Sequence, residues 1–487
     1  MTLTQSERRT YYTDGHVRQR IGEFLGGAFP DKGSAMYFAA GTEFASQHHD
    51  ALPPEELPSW LDQGAELYRS LWDRKSLICH LDIEYVNFDH PSYAFVNTER
   101  VFRLQQPVAA AVEDILSSFG ITPLHLVTGR GHHFVWRVDQ TSRAFAQLAA
   151  LGHVPASLCH LYATALAPTG ECVSPELGAA FAGLGVVMEF VAHQVKVRAA
   201  PLCELPVELG AIETGRRAEG REMISVDITE YADPLCSRTI RVPFSVYLKP
   251  AQQRADLGGE FERVPPMFMV PLDRMSVTEA LGVMRDPAAV KQLAETASAT
   301  IPDSSGPMKR LVAAYRRSPL ARFHEQFYSE QHDAPAVWHE TYDCIPLDAL
   351  PPCARLILER PNDLLLRPAC AQRVVRVMLA LGWHPRHIAG LIRSKYERDH
   401  GWAGQWHGFD PAMRADFYAR VFSGLFVTGV DDLVDFNCQS AREENLCFIG
   451  GCNENLNDFR KSLIDRRQYE RLACRPFNRL FLPEEHL

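Results

Sequence analysis

LDIEY, residues 81–85, alternates apolar and acidic side chains with the two-residue period of a β-strand. Asp82 and Glu84 therefore point to one face of that strand, while Leu81, Ile83 and Tyr85 point to the other. Two carboxylates set side by side repel each other and lose hydration, and a divalent cation between them is the usual remedy. ISVDITEY (224–231) reads as a further strand that places Asp227 within reach as a third oxygen ligand. Three such carboxylates suit a two-metal site, in which ions roughly 3.5–4 Å apart stabilise the attacking and leaving oxygens of phosphoryl or nucleotidyl transfer.

Acidic residues on a strand are most often its solvated face, so neighbouring motifs have to decide the matter. TGRGHHFVW (128–136) breaks the chain between the apolar runs LHLV and HHFVWRV. Its glycines let backbone N–H groups approach an anion, and Arg130 adds a fork of donors suited to phosphate. Beyond the turn, His133, Val135 and Arg137 share one face, and His132, Phe134 and Trp136 the other. One histidine thus faces the site whichever way the strand lies.

This order of blocks, a D-x-[DE] strand, an S/T-G-R-G-x-H turn and a late hydrophobic-Asp strand, resembles the archaeo-eukaryotic primase superfamily. VDITEYADPLCSRTIRVPFSVYLKP (226–250) is similar to the segment of the primase small catalytic subunit in which an Asp precedes a basic residue and an S/x-P-F-S-V-H-x-K run. The resemblance implies an α/β (α+β) catalytic domain in which Asp82, Glu84 and Asp227 hold two divalent ions, Mg2+ or Mn2+. It implies nucleotide contacts from Arg130, His133, Arg241 and Lys249, with Arg238 and Ser245 beside them. The Asp-x-Glu form of the first motif is closer to the primase-polymerases. Tyr247 stands where the small subunit has a second histidine, and the turn holds one arginine where that subunit often has two. No cysteine lies between Glu84 and Gly131, so the subunit's zinc cluster has no counterpart there. Cys159, His160, Cys172 and Cys203 offer a substitute whose spacing fits no recognised pattern.

A second resemblance lies near the other end. LPPCARLILERPNDLLLRPACAQRVVRVMLALGWHPRHIAGLI (350–392) carries two stretches of helical period. It resembles the opening of the iron–sulfur domain of the primase large subunit, and DFNCQSAREENLC (435–447) and RRQYERLACRPF (466–477) look like that domain's later cysteines. The implied ligands of a four-iron–four-sulfur cluster are Cys353, Cys438, Cys447 and Cys474, with Cys452 competing for the last place. Cys344 and Cys370 read as ordinary residues. Buried free cysteine is common, yet seven of the twelve cysteines fall at or beyond residue 344, beside these motifs.

A chain of 487 residues has room for two or three domains. Three are expected: a catalytic domain over 1–250, a helical connector over 251–335 and a mainly α-helical iron–sulfur domain over 336–487. The start lacks an apolar h-region and no run of about eighteen apolar residues stands out, so neither secretion nor a membrane span is expected. The expected location is cytoplasmic, with the cysteines as thiols and cluster ligands rather than disulfides. A formal charge of −10 argues against wholesale coating of nucleic acid. Basic residues are concentrated, however, over 460–479 with Tyr469 and Phe477 interleaved, and over Lys309 to Arg322; each run suits a single strand or a solvated helix face.

Together these readings lead to the expectation of a single-chain DNA primase or primase-polymerase acting on single-stranded DNA template with NTPs or dNTPs. A replicative helicase is a partner such an activity could serve. A primer-dependent repair or translesion polymerase would use the same catalytic residues, a metal-dependent nuclease only the carboxylates, and a non-catalytic iron–sulfur DNA-binding protein only the cysteines.

Overall fold

The computed structural model describes residues 3–27, 32–40, 52–164, 172–232, 239–398, 410–447, 452 and 455–473. Nine strands are present among them: β1 (Ala35–Ala40), β2 (Glu66–Asp73), β3 (Ser76–Asn87), β4 (Leu124–Val127), β5 (Gly131–Asp139), β6 (Val207–Glu208), β7 (Glu222–Asp227), β8 (Thr239–Arg241) and β9 (Val270–Pro271). They form a six-stranded sheet in the order β6-β7-β3-β5-β4-β9 and a three-stranded sheet in the order β1-β2-β8. The architecture is mixed α/β with a helical C-terminal region.

The LDIEY strand is the longest and lies at the centre of the larger sheet, antiparallel to both β5 and β7. Its apolar face explains that position. Leu81 and Ile83 are fully buried, and the long helices Thr98–Ser118 and Pro175–Ala199 pack on the strand. β2 runs directly into β3 through a tight corner. There the Asp73 carboxylate accepts from the N–H groups of Lys75 (2.8 Å) and Ser76 (3.0 Å), and the chain passes from one sheet to the other. The carboxylate-bearing sheet and the small sheet therefore form adjoining walls.

Residues 251–335 are more than a connector. Val270 and Pro271 pair with Val127 and Leu126 and so complete the main sheet, and the Ser305–Arg316 helix packs on Arg143–Ala149. From residue 352 onward helices take over: Pro352–Glu359, Pro368–Ala380, Pro385–Tyr396, Pro411–Thr428 and Leu456–Ala473. Four of these begin with proline at the first turn, where its missing N–H costs nothing.

The Pro175–Ala199 helix joins the two halves. Its Glu189 is wholly buried and accepts from Arg420 Nε (2.9 Å) on one side and His324 Nε2 (3.1 Å) on the other. Continued to Leu202, this helix is long and apolar enough to cross a membrane by length and composition, contrary to the sequence expectation. The structure buries 78% of its apolar window inside the protein, as in a core helix.

Candidate active site

Strand register brings the acidic blocks together. Asp82 lies opposite His133 on β5 and opposite Asp227 on β7, and Glu84 lies opposite Gly131 and Ser225. Asp227, Asp82 and His133 thus stand side by side across three neighbouring strands, with Glu84 one pleat further along. His133 Nε2 is 3.3 Å from Asp82 Oδ1. Burial first, then the negative charges of Glu84, Asp227 and Glu230, pushes the Asp82 carboxyl well above the usual carboxylate range. Its Oδ1 is buried and accepts no hydrogen bond. Asp227 Oδ1 accepts from the Thr229 N–H (2.8 Å) and hydroxyl (2.6 Å).

Glu84 is held differently. Burial pushes its carboxyl up, but Arg130, Lys249 and Arg241 together outweigh this and bring it to about 2. Arg130 Nη2 donates to Glu84 Oε2 at 2.6 Å.

Two N–H groups of the glycine turn are engaged within the turn itself. The N–H groups of Arg130 and Gly131 point to Thr128 Oγ1 (3.3 and 3.1 Å), so these two are not offered to an anion. Gly131 is required instead for close approach, since a Cβ there would stand 1.8 Å from the Ile83 carbonyl oxygen and 2.7 Å from Gln105 Oε1. Gly129 gives room to Tyr247, whose ring carbon Cζ would be 3.1 Å from a Cβ at that position.

Of the two histidines, His133 faces the carboxylates. Burial, then the His80 imidazole and the cations Arg241 and Lys249, keeps its pKa well below the ordinary value, so the ring is neutral at pH 7. His132 points to the other face, against Phe102 (ring centroids 5.0 Å) and His125 (2.9 Å between Nδ1 and Nε2).

The basic residues come from the second wall. Arg241 on β8 is ion-paired with the fully buried Glu66 and lies over the Tyr247 ring at 3.9 Å and the Tyr68 ring at 5.2 Å. Glu66 Oε2 also accepts from the Leu248 N–H (3.0 Å), which fixes the chain that leads into Lys249. Lys249 is lowered to about 8 by burial and by Arg130, while Glu84 acts in the opposite sense. Ser245, expected beside the nucleotide contacts, has its hydroxyl engaged within the scaffold. Its hydroxyl is fully buried, accepts from the Leu67 N–H (2.8 Å) and lies 3.2 Å from the Tyr12 hydroxyl. Arg238 lies outside the described residues.

Three participants escaped the sequence reading. His80 sits two residues before Asp82, hence on the same face, and its Nδ1 is 2.9 Å from Glu230 Oε1. Its ring stands edge-on to His133, with centroids 4.7 Å apart. The period of the strand could have exposed His80; nothing local marked Glu230 or Glu66.

In the helical region, Cys438 and Cys447 each come within electrostatic reach of Cys353. Burial pushes the Cys353 thiol up, Arg373 opposes this, and Cys438 and Cys447 push it further. Cys474 lies outside the described residues. Cys172 Sγ faces the Ala163 carbonyl at 2.8 Å, and burial lifts Cys203 to about 11. Among the described residues, no group of three or more His, Cys, Asp or Glu side chains stands ready to hold a metal ion. At the acidic strands, Arg130 holds Glu84 and Thr229 holds an oxygen of Asp227. The donor chemistry still fits a hard divalent cation, because three carboxylates crowd one face and the Asp82 oxygen accepts nothing.

The basic run at 460–479 is partly spent on the fold. Arg460 donates to the Leu433 carbonyl (2.8 Å), and Arg467 lies over the Phe426 ring at 4.7 Å. Lys309, Arg316, Arg317 and Arg322 are exposed. No family model, no curated protein and no solved structure matches the chain.

Proposed function

We propose that the protein is a single-chain DNA primase or primase-polymerase, with an archaeo-eukaryotic primase-type catalytic domain and a large-subunit-like iron–sulfur domain. The observation that carries this reading is the register that sets Asp227, Asp82 and His133 side by side, with Glu84 beyond and Arg130 and Lys249 beside it. Asp82, Glu84 and Asp227 would hold two divalent cations, which when bound supply charge neutralisation at the attacking and leaving oxygens. Lys249, whose ammonium makes no ion pair or hydrogen bond with the described residues, offers its charge to a triphosphate, and Arg130 adds a planar fork. His133, neutral, can donate from Nε2 to a phosphate oxygen or hold Asp82 in place. Arg241, paired with Glu66, positions Tyr247 and the chain before Lys249. Cys353, Cys438 and Cys447, with Cys474 or Cys452, would hold a four-iron cluster that ties distant helices together. The exposed cations between Lys309 and Arg322 suit a template strand.

The test is dinucleotide synthesis on single-stranded DNA with labelled nucleotides, Mn2+ or Mg2+ and no primer. Product from the wild type and none from Asp227→Asn supports the reading. Extension of a supplied primer without unprimed product would assign a gap-filling polymerase, and no incorporation in either assay would remove the enzymatic reading.

A further inference from the structure

The two arginines placed at the candidate site are each paired with a carboxylate, but not in the same manner. Arg241 is enclosed: Glu66 is fully buried, and the guanidinium lies between two tyrosine rings. Arg130 is held at one end only. Nη2 meets Glu84, whereas the buried Nε has no hydrogen-bond partner. Both side chains of the pair remain about one-fifth exposed, at 20% and 21%.

The backbone beneath Arg130 is fixed. Its N–H points to Thr128 Oγ1 (3.3 Å), and its carbonyl accepts from the Tyr85 N–H (3.2 Å) and from Gln105 Nε2 (3.0 Å). Movement at this position is therefore confined to the side chain.

Glu84 is the carboxylate through which this arginine meets the acidic cluster. A guanidinium and a divalent cation on the same carboxylate would repel, so occupancy by one weakens the other. A triphosphate delivered with the cation offers the guanidinium a bidentate acceptor of higher charge than Glu84.

Resting on the reading of this site as a nucleotidyl-transfer centre, we propose that Arg130 and a divalent cation exchange on Glu84. Arg130 is the counter-ion of Glu84 before substrate arrives, and it passes to the triphosphate when the cation takes the carboxylate. Cation and nucleoside triphosphate then bind with positive coupling that runs through this one side chain. The exchange keeps Glu84 compensated at every stage. It also disfavours a cation bound without nucleotide, which guards the site against unproductive metal loading.

The experiment measures Mn2+ binding to the full-length protein by electron paramagnetic resonance of free Mn2+, with and without a non-hydrolysable nucleoside triphosphate analogue. Arg130→Gln should bind Mn2+ about tenfold more tightly than wild type in the absence of nucleotide, the order of one charge-assisted hydrogen bond removed from a competitor. The analogue should raise Mn2+ affinity clearly more in wild type than in Arg130→Gln. Arg130→Lys, which keeps the charge without the fork, should fall between them, and thermal melts of each variant establish that it is folded. Equal or weaker Mn2+ binding by folded Arg130→Gln and Arg130→Lys, with binding still lost in Asp227→Asn, overturns the exchange and leaves the site reading standing. Mn2+ binding indifferent to both Asp82→Asn and Asp227→Asn overturns the two together.

Discussion

Neutralising Asp82 and Glu84 one at a time should move stability in opposite directions, although both lie on one face of β3. Glu84 is held at about 2 rather than its ordinary 4.5, chiefly by Arg130 acting against burial. At about 1.4 kcal/mol per tenfold, that difference makes its charge worth about 3 kcal/mol to the folded state. Its pKa is depressed, so the contribution is complete above 4.5 and disappears as pH falls toward 2. Asp82 is raised instead, by burial and by Glu84, Asp227 and Glu230. Its contribution is largest at low pH and is lost as pH rises through the raised value, so the charge, once formed, destabilises. Asp82→Asn should therefore raise the melting temperature, and Glu84→Gln should lower it by roughly 6–12 °C, for a cooperative unit of about 150–250 residues. The assay is thermal unfolding by circular dichroism at pH 7 with chelator present, alongside nucleotide incorporation with metal. Both variants should lose incorporation. A fall in stability for Asp82→Asn comparable to that for Glu84→Gln would refute the claim that Asp82 is a repelled charge kept for chemistry.

Gly131→Ala should prevent β3 and β5 from closing, because its Cβ would meet the Ile83 carbonyl at 1.8 Å; loss of the cooperative melt is the readout. Glu189→Gln should cost about 3–5 kcal/mol in urea unfolding, because it leaves the buried Arg420 unpaired where the two halves join. For the same reason a chain ending near residue 335 should be recovered insoluble, as fractionation of the expressed protein would show. Ser245→Ala should lower stability by about 1 kcal/mol without changing the apparent affinity for nucleotide, measured by melts and saturation kinetics, since its hydroxyl faces Leu67 and Tyr12. Anaerobically purified protein should carry about four irons by colorimetric assay, and Cys353→Ser should release them; iron-free protein that retains unprimed activity would dismiss the cluster.

The sequence by itself determined which residues share a strand face. A period of two is local, so Asp82 with Glu84, and His133 apart from His132, could be read from spacing alone. The helical periods after residue 350 were legible for the same reason. Tertiary structure decided which charges oppose which. Arg130 and Arg241 looked alike as triphosphate ligands, but one meets the partly exposed Glu84 and the other is enclosed with Glu66, 175 residues away in the chain. Ser245 looked like a nucleotide contact, yet its hydroxyl turns inward to hold β2. The stretch 251–335 looked like a linker because its single strand is two residues long, too short for any period to show. Glu66, Glu230 and Glu189 carry no motif. Their importance comes from low dielectric and close partners, which exist only once distant segments are packed together, and no spacing along the chain encodes a distance across it.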